Sequence, residues 1–302
     1  MTRHGRQLVG EYRELVIVAV AAAVGLTVQS PLARVVRHQG IDVLLVVLVF
    51  STAITVEPRS LRQLSASWRQ LSLALVVGAS VLPALSWLVS HMVAAGSLRN
   101  GITTIGLAPC EIAAIATTGM ASGDVALAAG ILIGSTLVSV AVAGPILAFE
   151  VPGASVHPAH IIVNLLVIVA VPLAVGVSIR TVADIRPRGE TIAATTSTFA
   201  VAALVALVAS EVHLSRRYLV VLGAVLAFLV ASTVVGRIID VGGGQPAMRA
   251  LLLTTSMRDF AIAAALATAA FGPEAAAPLG LYGIVVLIWG TGCAGFMRAR
   301  EP

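Results

Sequence analysis

Between residues 13 and 297 the sequence runs as ten apolar stretches separated by short links such as "VEPRSLRQ", "RPRGE" and "FGPE". The spans are 13–30, 41–57, 69–95, 101–121, 124–148, 158–180, 190–210, 217–237, 247–271 and 275–297. Each is close to the roughly 20 residues that an α-helix needs to cross the hydrocarbon core. The composition leaves no soluble alternative. Hydrophobic residues make up 58% of the chain and charged ones 11%, against roughly 25% charged in a soluble domain. A chain this apolar cannot cover a water-facing surface. The expectation is an all-α integral membrane protein with ten transmembrane helices in the lipid bilayer.

The net charge of +5 does not point to nucleic acid. Every basic residue is arginine, and nearly all sit in the links, which is the pattern of topology signals rather than of a basic groove. With the N-terminus inside, one side holds thirteen arginines and the other five. This predicts a multi-pass cell-membrane protein with both termini cytoplasmic, including short tails at 1–12 and 298–302. The first apolar run lacks a small-residue cleavage site and reads as a retained helix. Cys110 and Cys293 lie inside apolar runs and form no disulfide framework or metal spacing. His157 and His160 resemble a metal pair but stand beside Pro158 with no third ligand. No metal site, cofactor or catalytic residue is expected.

The chain also repeats itself. Across Leu15–Gln29 and Leu166–Arg180, nine of fifteen positions are identical at an offset of 151, half of the 302 residues. Ile112–Gly134 and Ile262–Ile284 align at nearly the same offset and pair Asp124 with Glu274. Five spans separate the copies, an odd number, so the second copy enters the membrane from the opposite side. This predicts two inverted five-helix repeats, 13–150 and 151–297. Such repeats are a signature of secondary transporters. Asp124 and Glu274 follow Gly/Pro/Ser turns at helix starts and read as capping charges.

Two spans carry charge where lipid would not accept it. In "RALLLTTSMRDFAIAAALATAAFG", Arg258 and Asp259 fall near mid-depth, where a charged side chain costs about 2.5–3.5 kcal/mol on insertion scales. Thr254, Thr255 and Ser256 precede them and supply hydroxyls for backbone groups if the helix unwinds there. In "GITTIGLAPCEIAAIATTGMASG", Pro109, Cys110 and Glu111 hold the same depth, and proline breaks a helix. These are the fourth helix of each half. The expectation is that helices 4 and 9 are discontinuous, cross near the bilayer centre and open their broken middles onto one cavity. Arg258 would pair with Glu111, with Asp259 or with an anionic substrate. Two carboxylates and one guanidinium leave a formal −1, an opening for proton coupling. The run Thr195–Thr198 either lines a cavity or bonds back to its own helix.

These residues resemble the bile acid:sodium symporter superfamily. The pieces that carry the likeness are "SGDVALA" after the proline-broken helix, "VLVFSTAITVEPRSL" (47–61), "VVGASVLPALSWLV" (76–89) and "SMRDFAIAAALATAAFGPEAA" (256–276). The resemblance implies ten helices: a panel of helices 1, 2, 6 and 7, and a core of helices 3–5 and 8–10. It also implies crossed, broken helices 4 and 9. Sodium-coupled members ligate sodium with side chains that are changed here. The resemblance sets Ala114 and Ile115 at the Ser-Asn of helix 4, and Ala128 and Leu132 at the Ser and Thr of helix 5. Gly78 stands at the glutamine of helix 3. Thr254, Arg258 and Asp259 stand at the glutamate, glutamine and asparagine of helix 9. Few side-chain oxygens survive for a hard cation. The expected coupling ion is therefore a proton rather than sodium, with Arg258 placing a fixed positive charge where a sodium would sit. A sister branch, the arsenical-resistance permeases, is similar at Gly106–Cys110 and Asp259.

The expected function is a secondary transporter for a small-molecule solute, an organic anion, using Arg258, Asp259, Glu111, Cys110, Thr254, Thr255, Ser256 and Pro109. The alternatives are arsenite efflux through Cys110 and a non-transport membrane sensor or intramembrane enzyme.

Overall fold

The computed structural model describes residues 16–17, 19–28, 31–32, 40–55, 67–150, 158–182, 187–210, 216–239 and 242–299. Among them all regular structure is helical apart from one isolated β-bridge. The helices are α1 (19–27), α2 (Gly40–Thr55), α3 (Trp68–Ser90), α4 (Ser97–Leu107), α5 (Ala113–Met120) and α6 (Val125–Glu150). After these come α7 (Pro158–Val182), α8 (Pro187–Ser210), α9 (Arg216–Ile238), α10 (Gly244–Ser256), α11 (Phe260–Phe271) and α12 (Ala277–Ala299). His157 and residues 1–12 and 300–302 lie outside the described residues, and Arg298 and Ala299 of the expected C-terminal tail belong to α12.

Among the described residues six helices, α3, α6, α7, α8, α9 and α12, are long and apolar enough to cross a membrane. Helices α2 and α11 are apolar but shorter. The fourth and ninth apolar stretches are each split, into α4–α5 and α10–α11. The splits fall at Ala108–Ile112 and Met257–Asp259, where the proline and the adjacent charges stand. Large apolar side chains face outward all around, among them Phe149, Val182, Leu219 and Ile238. In water such a surface would aggregate; in lipid it is the expected finish.

Pro172 sits inside α7 and has no N–H to give the preceding turn. The helix answers with a π turn over Leu166–Ala170, within the repeated phrase. Two glycines that close the two copies of that phrase, Gly25 and Gly176, are contact points between helices. A Cβ on Gly25 would stand 2.7 Å from the Cβ of Ala209 on α8, and one on Gly176 would stand 2.5 Å from the Cβ of Ala53 on α2. Helix α1 thus meets α8 as α7 meets α2, an exchange of partners under the half-chain offset. Helix α2 also packs on α8. On the other side, α3 packs on α4 and α6, and α9 packs on α10 and α12. The halves of the split helices also pack on each other, α4 on α11 and α10 on α5.

Candidate functional site

The two interruptions meet each other. Glu111 N donates to Met257 O at 2.9 Å, and Asp259 N donates to Pro109 O at 2.9 Å, an antiparallel bridge centred on Cys110 and Arg258. Unwound backbone inside a membrane protein must find partners for its freed groups, and here each break supplies them for the other. This corrects the expectation of a single cavity lined by open carbonyls. The crossing is bridged through its middle, and among the described residues Arg258 and Asp259 line separate clefts.

The remaining backbone groups are met by side chains from neighbouring helices. On α6, Ser139 Oγ donates to Leu107 O at 2.6 Å, and Ser135 Oγ accepts from Cys110 N at 3.1 Å. From α12, Tyr282 Oη accepts from Arg258 N at 2.9 Å and donates to Ser256 O at 3.3 Å. The fully buried Tyr282 ring is held edge-on to Phe228. Sequence reasoning missed all three residues. The one available signal was a hydroxyl in an otherwise apolar helix.

Thr254, Thr255 and Ser256 are buried as expected but are not unwound. Thr254 Oγ1 donates to Ala250 O at 2.7 Å and Ser256 Oγ to Leu253 O at 3.3 Å, so these hydroxyls bond back to α10. The break begins one residue later. The run 195–198 behaves alike: Thr195, Ser197 and Thr198 donate to carbonyls of their own helix. Asp124 Oδ1 accepts from Leu127 N at 2.9 Å, at the start of α6.

Arg258 and Asp259 point to opposite sides of the crossing. The backbone from Met257 to Asp259 is extended, with ψ near 105° at both ends, and successive side chains in extended backbone alternate faces. Arg258, 3% exposed, lies toward α3 and α6. Its Nη2 donates to Ala108 O, a carbonyl just past the C-terminal end of α4, where the helix dipole favours a cation. Its cleft, with room for only about 10 Å³, is lined by Gly78, Pro83, Ser135 and Ser139 among others. A Cβ on Gly78 would stand 3.7 Å from Nη1, so the guanidinium fills the room that the glycine leaves. Its Nε has no partner.

Asp259, 1% exposed, faces the other way. Its Oδ1 caps α11, accepting from Ala261 N and Ile262 N at 2.9 Å each. It lines a narrow cleft with room for about 20 Å³, together with Thr52 and Val49 of α2, Val169 and Leu173 of α7 and Thr136 of α6. Two buried polar atoms without a partner belong to residues of this cleft: Asp259 Oδ2 and Thr52 Oγ1.

Glu111, 2% exposed, accepts at Oε2 from Phe260 N at 3.3 Å, so it too serves the N-terminus of α11. No ion pair joins Arg258 to Glu111 or Asp259. The expected pairing gives way to backbone partners, because extended geometry turns the neighbouring charges apart. Cys110 is fully buried and its thiol faces Glu111 O at 3.4 Å. It lines neither cleft. Among the described residues, no group of His, Cys, Asp and Glu side chains has the arrangement of a metal site.

No curated protein matches this sequence. The model of the sodium bile acid symporter family matches residues 42–222, which takes in Pro109–Glu111 and stops short of Arg258 and Asp259. That match covers more than half of the chain, and with the six long apolar helices it identifies a multi-pass membrane transporter that belongs to the sodium bile acid symporter family.

Proposed function

We propose that this protein is a secondary active transporter that carries a small organic anion together with a proton, and that the solute binds on the Asp259 side of the crossing. The observation that carries this reading is the pair of unsatisfied buried atoms, Asp259 Oδ2 and Thr52 Oγ1, in one cleft. Buried polar groups are nearly always paired, so two orphans in one cleft mark a place for a ligand. Thr52 belongs to α2 and Asp259 to the crossing. A solute that bridges them would span the two helix groups that alternate access would move apart.

Charge counting favours a proton. Empty, the crossing holds Arg258, Glu111 and Asp259, a formal −1. With a proton on Asp259 and a monoanionic solute beside it, the sum is again −1, so loading adds no net charge to a low-dielectric site. The protonated carboxyl then donates to the solute and the Thr52 hydroxyl offers a second hydrogen bond. Arg258 stays on the far side as a resident countercharge on Ala108 O and does the work of a bound cation at the end of α4. The reading treats the two halves as inverted five-helix repeats, in keeping with the Gly25 and Gly176 contacts, and puts both termini in the cytoplasm on the arginine asymmetry.

The test is flux in proteoliposomes under an imposed pH gradient, with an imposed sodium gradient for comparison, across a panel of small carboxylates. Accumulation driven by pH alone supports the proposal. Accumulation that requires sodium overturns it.

A further inference from the structure

We propose that the cleft beside Arg258 holds a single chloride ion. The site belongs to the arginine side of the crossing and does not depend on where the solute binds. Arg258 is 3% exposed, and a charge so deeply buried needs an opposite charge and hydrogen bonds for its polar atoms. A guanidinium carries several N–H donors in a fixed fork and no acceptor. Here Nη2 donates to Ala108 O, and the buried Nε has no partner. Among the described residues no carboxylate stands within ion-pair distance of the group. Glu111 and Asp259, the acids nearest in the crossing, serve the amides at the start of α11 instead. The positive charge is therefore held by a carbonyl dipole and left without an anion.

Room sets the size of the occupant. The cleft has space for about 10 Å³, on the order of one water-sized sphere. That excludes a carboxylate solute and leaves a monatomic ion or a water. A second donor is at hand. Ser135 lines the same cleft, and its Oγ donates to Leu132 O at 3.2 Å. That carbonyl also accepts from Thr136 Oγ1 at 2.7 Å, so the longer bond is surplus. The Ser135 hydrogen can turn into the cleft and leave no carbonyl unmet, while its oxygen still accepts from Cys110 N. A chloride that takes both donors, Arg258 Nε and Ser135 Oγ, satisfies the orphaned nitrogen and brings the negative charge that a water lacks. Gly78 keeps the place open, since it has no side chain to set against the guanidinium.

The test is thermal unfolding of the purified protein in detergent while sodium chloride replaces sodium gluconate, at constant sodium and constant ionic strength. The unfolding temperature is expected to rise saturably with chloride, by roughly 3 °C at about a tenfold excess over its dissociation constant. Bromide should act more weakly and iodide not at all, because the cleft admits only a small sphere. Gly78→Ala sets a Cβ 3.7 Å from Nη1, an ordinary contact that nevertheless takes room from the ion. Alanine is also the better helix former, so this variant is expected to unfold near the wild-type temperature in gluconate and to lose the chloride response. Arg258→Gln removes the charge and should lose it too; where that variant does not fold, Gly78→Ala decides. No response to chloride, the outcome expected of a water in the cleft, overturns the proposal. So does an equal response to iodide, or a chloride response that Gly78→Ala leaves intact.

Discussion

At Ala108–Ile112 the chain leaves its helix with a proline; at Met257–Asp259 it does so without one. The first break has one donor fewer to satisfy, because Pro109 carries no N–H. Its Cys110 amide goes to Ser135, its Glu111 amide to Met257 O, and its acid to the start of the partner helix. The second break keeps every amide, needs Tyr282 to receive one of them, and caps its own helix with half of Asp259. What remains is unequal. Cys110 and Glu111 leave no buried polar side-chain atom unpartnered, whereas Arg258 Nε and Asp259 Oδ2 are both unpartnered. The difference teaches that the first break is spent on building the crossing, and that on the proposed reading it is the second that engages the ligand.

The strongest way to break that contrast is Asp259→Asn. Asparagine keeps an oxygen for the α11 cap and mimics the protonated acid. Gradient-driven accumulation is expected to fall by roughly tenfold or more, because an amide cannot take up and release the proton that couples the gradient, while solute exchange without a gradient persists. A variant that still concentrates solute against a pH gradient would remove the proton from Asp259.

Arg258→Ala comes next. It leaves Ala108 O buried without its donor, at a cost of about 1–3 kcal/mol in stability. The half-saturation concentration for solute is expected to stay near wild type among the folded molecules. Thermal unfolding and flux together separate the two effects, and a large rise in half-saturation would move the solute to the arginine side. Glu111→Gln keeps an acceptor for Phe260 N in neutral form, so a loss of about 1 kcal/mol is expected, with coupling intact. The smallest effect belongs to Cys110→Ser. Flux should change by less than about twofold, since a buried free cysteine acts mainly as a small hydrophobe. In wild type a thiol reagent should label half-buried Cys293 and spare Cys110. Preferential labelling of Cys110, or loss of arsenite tolerance in a sensitive host carrying the serine variant, would favour the arsenical-resistance alternative instead.

Much of the frame was legible without coordinates. Run length marked the apolar stretches, and proline and adjacent charges marked both breaks to within a residue or two. The side chains that complete the crossing were not legible. Ser135 and Ser139 act on residues 25 and 32 positions away, and in the sequence they look like any hydroxyl that bonds back to its own helix. Thr254–Ser256 misled in the opposite sense, suggesting service to an unwound segment while remaining helical. The pairing of Arg258 with a carboxylate failed for a geometric reason. Neighbours in sequence are neighbours in space only on some backbones, and extended backbone sends them apart. Thr52 gave no sign at all, because its importance arises only where α2 approaches the crossing.

The two rungs that tie the breaks together, Glu111 N to Met257 O and Asp259 N to Pro109 O, run from main chain to main chain. A joint of that kind does not depend on which side chains it carries. The two rungs themselves therefore survive a change of side chain at 110, 258 or 259, and what such a change costs is the further buried group that Arg258 or Asp259 satisfies, the Ala108 carbonyl or the start of α11.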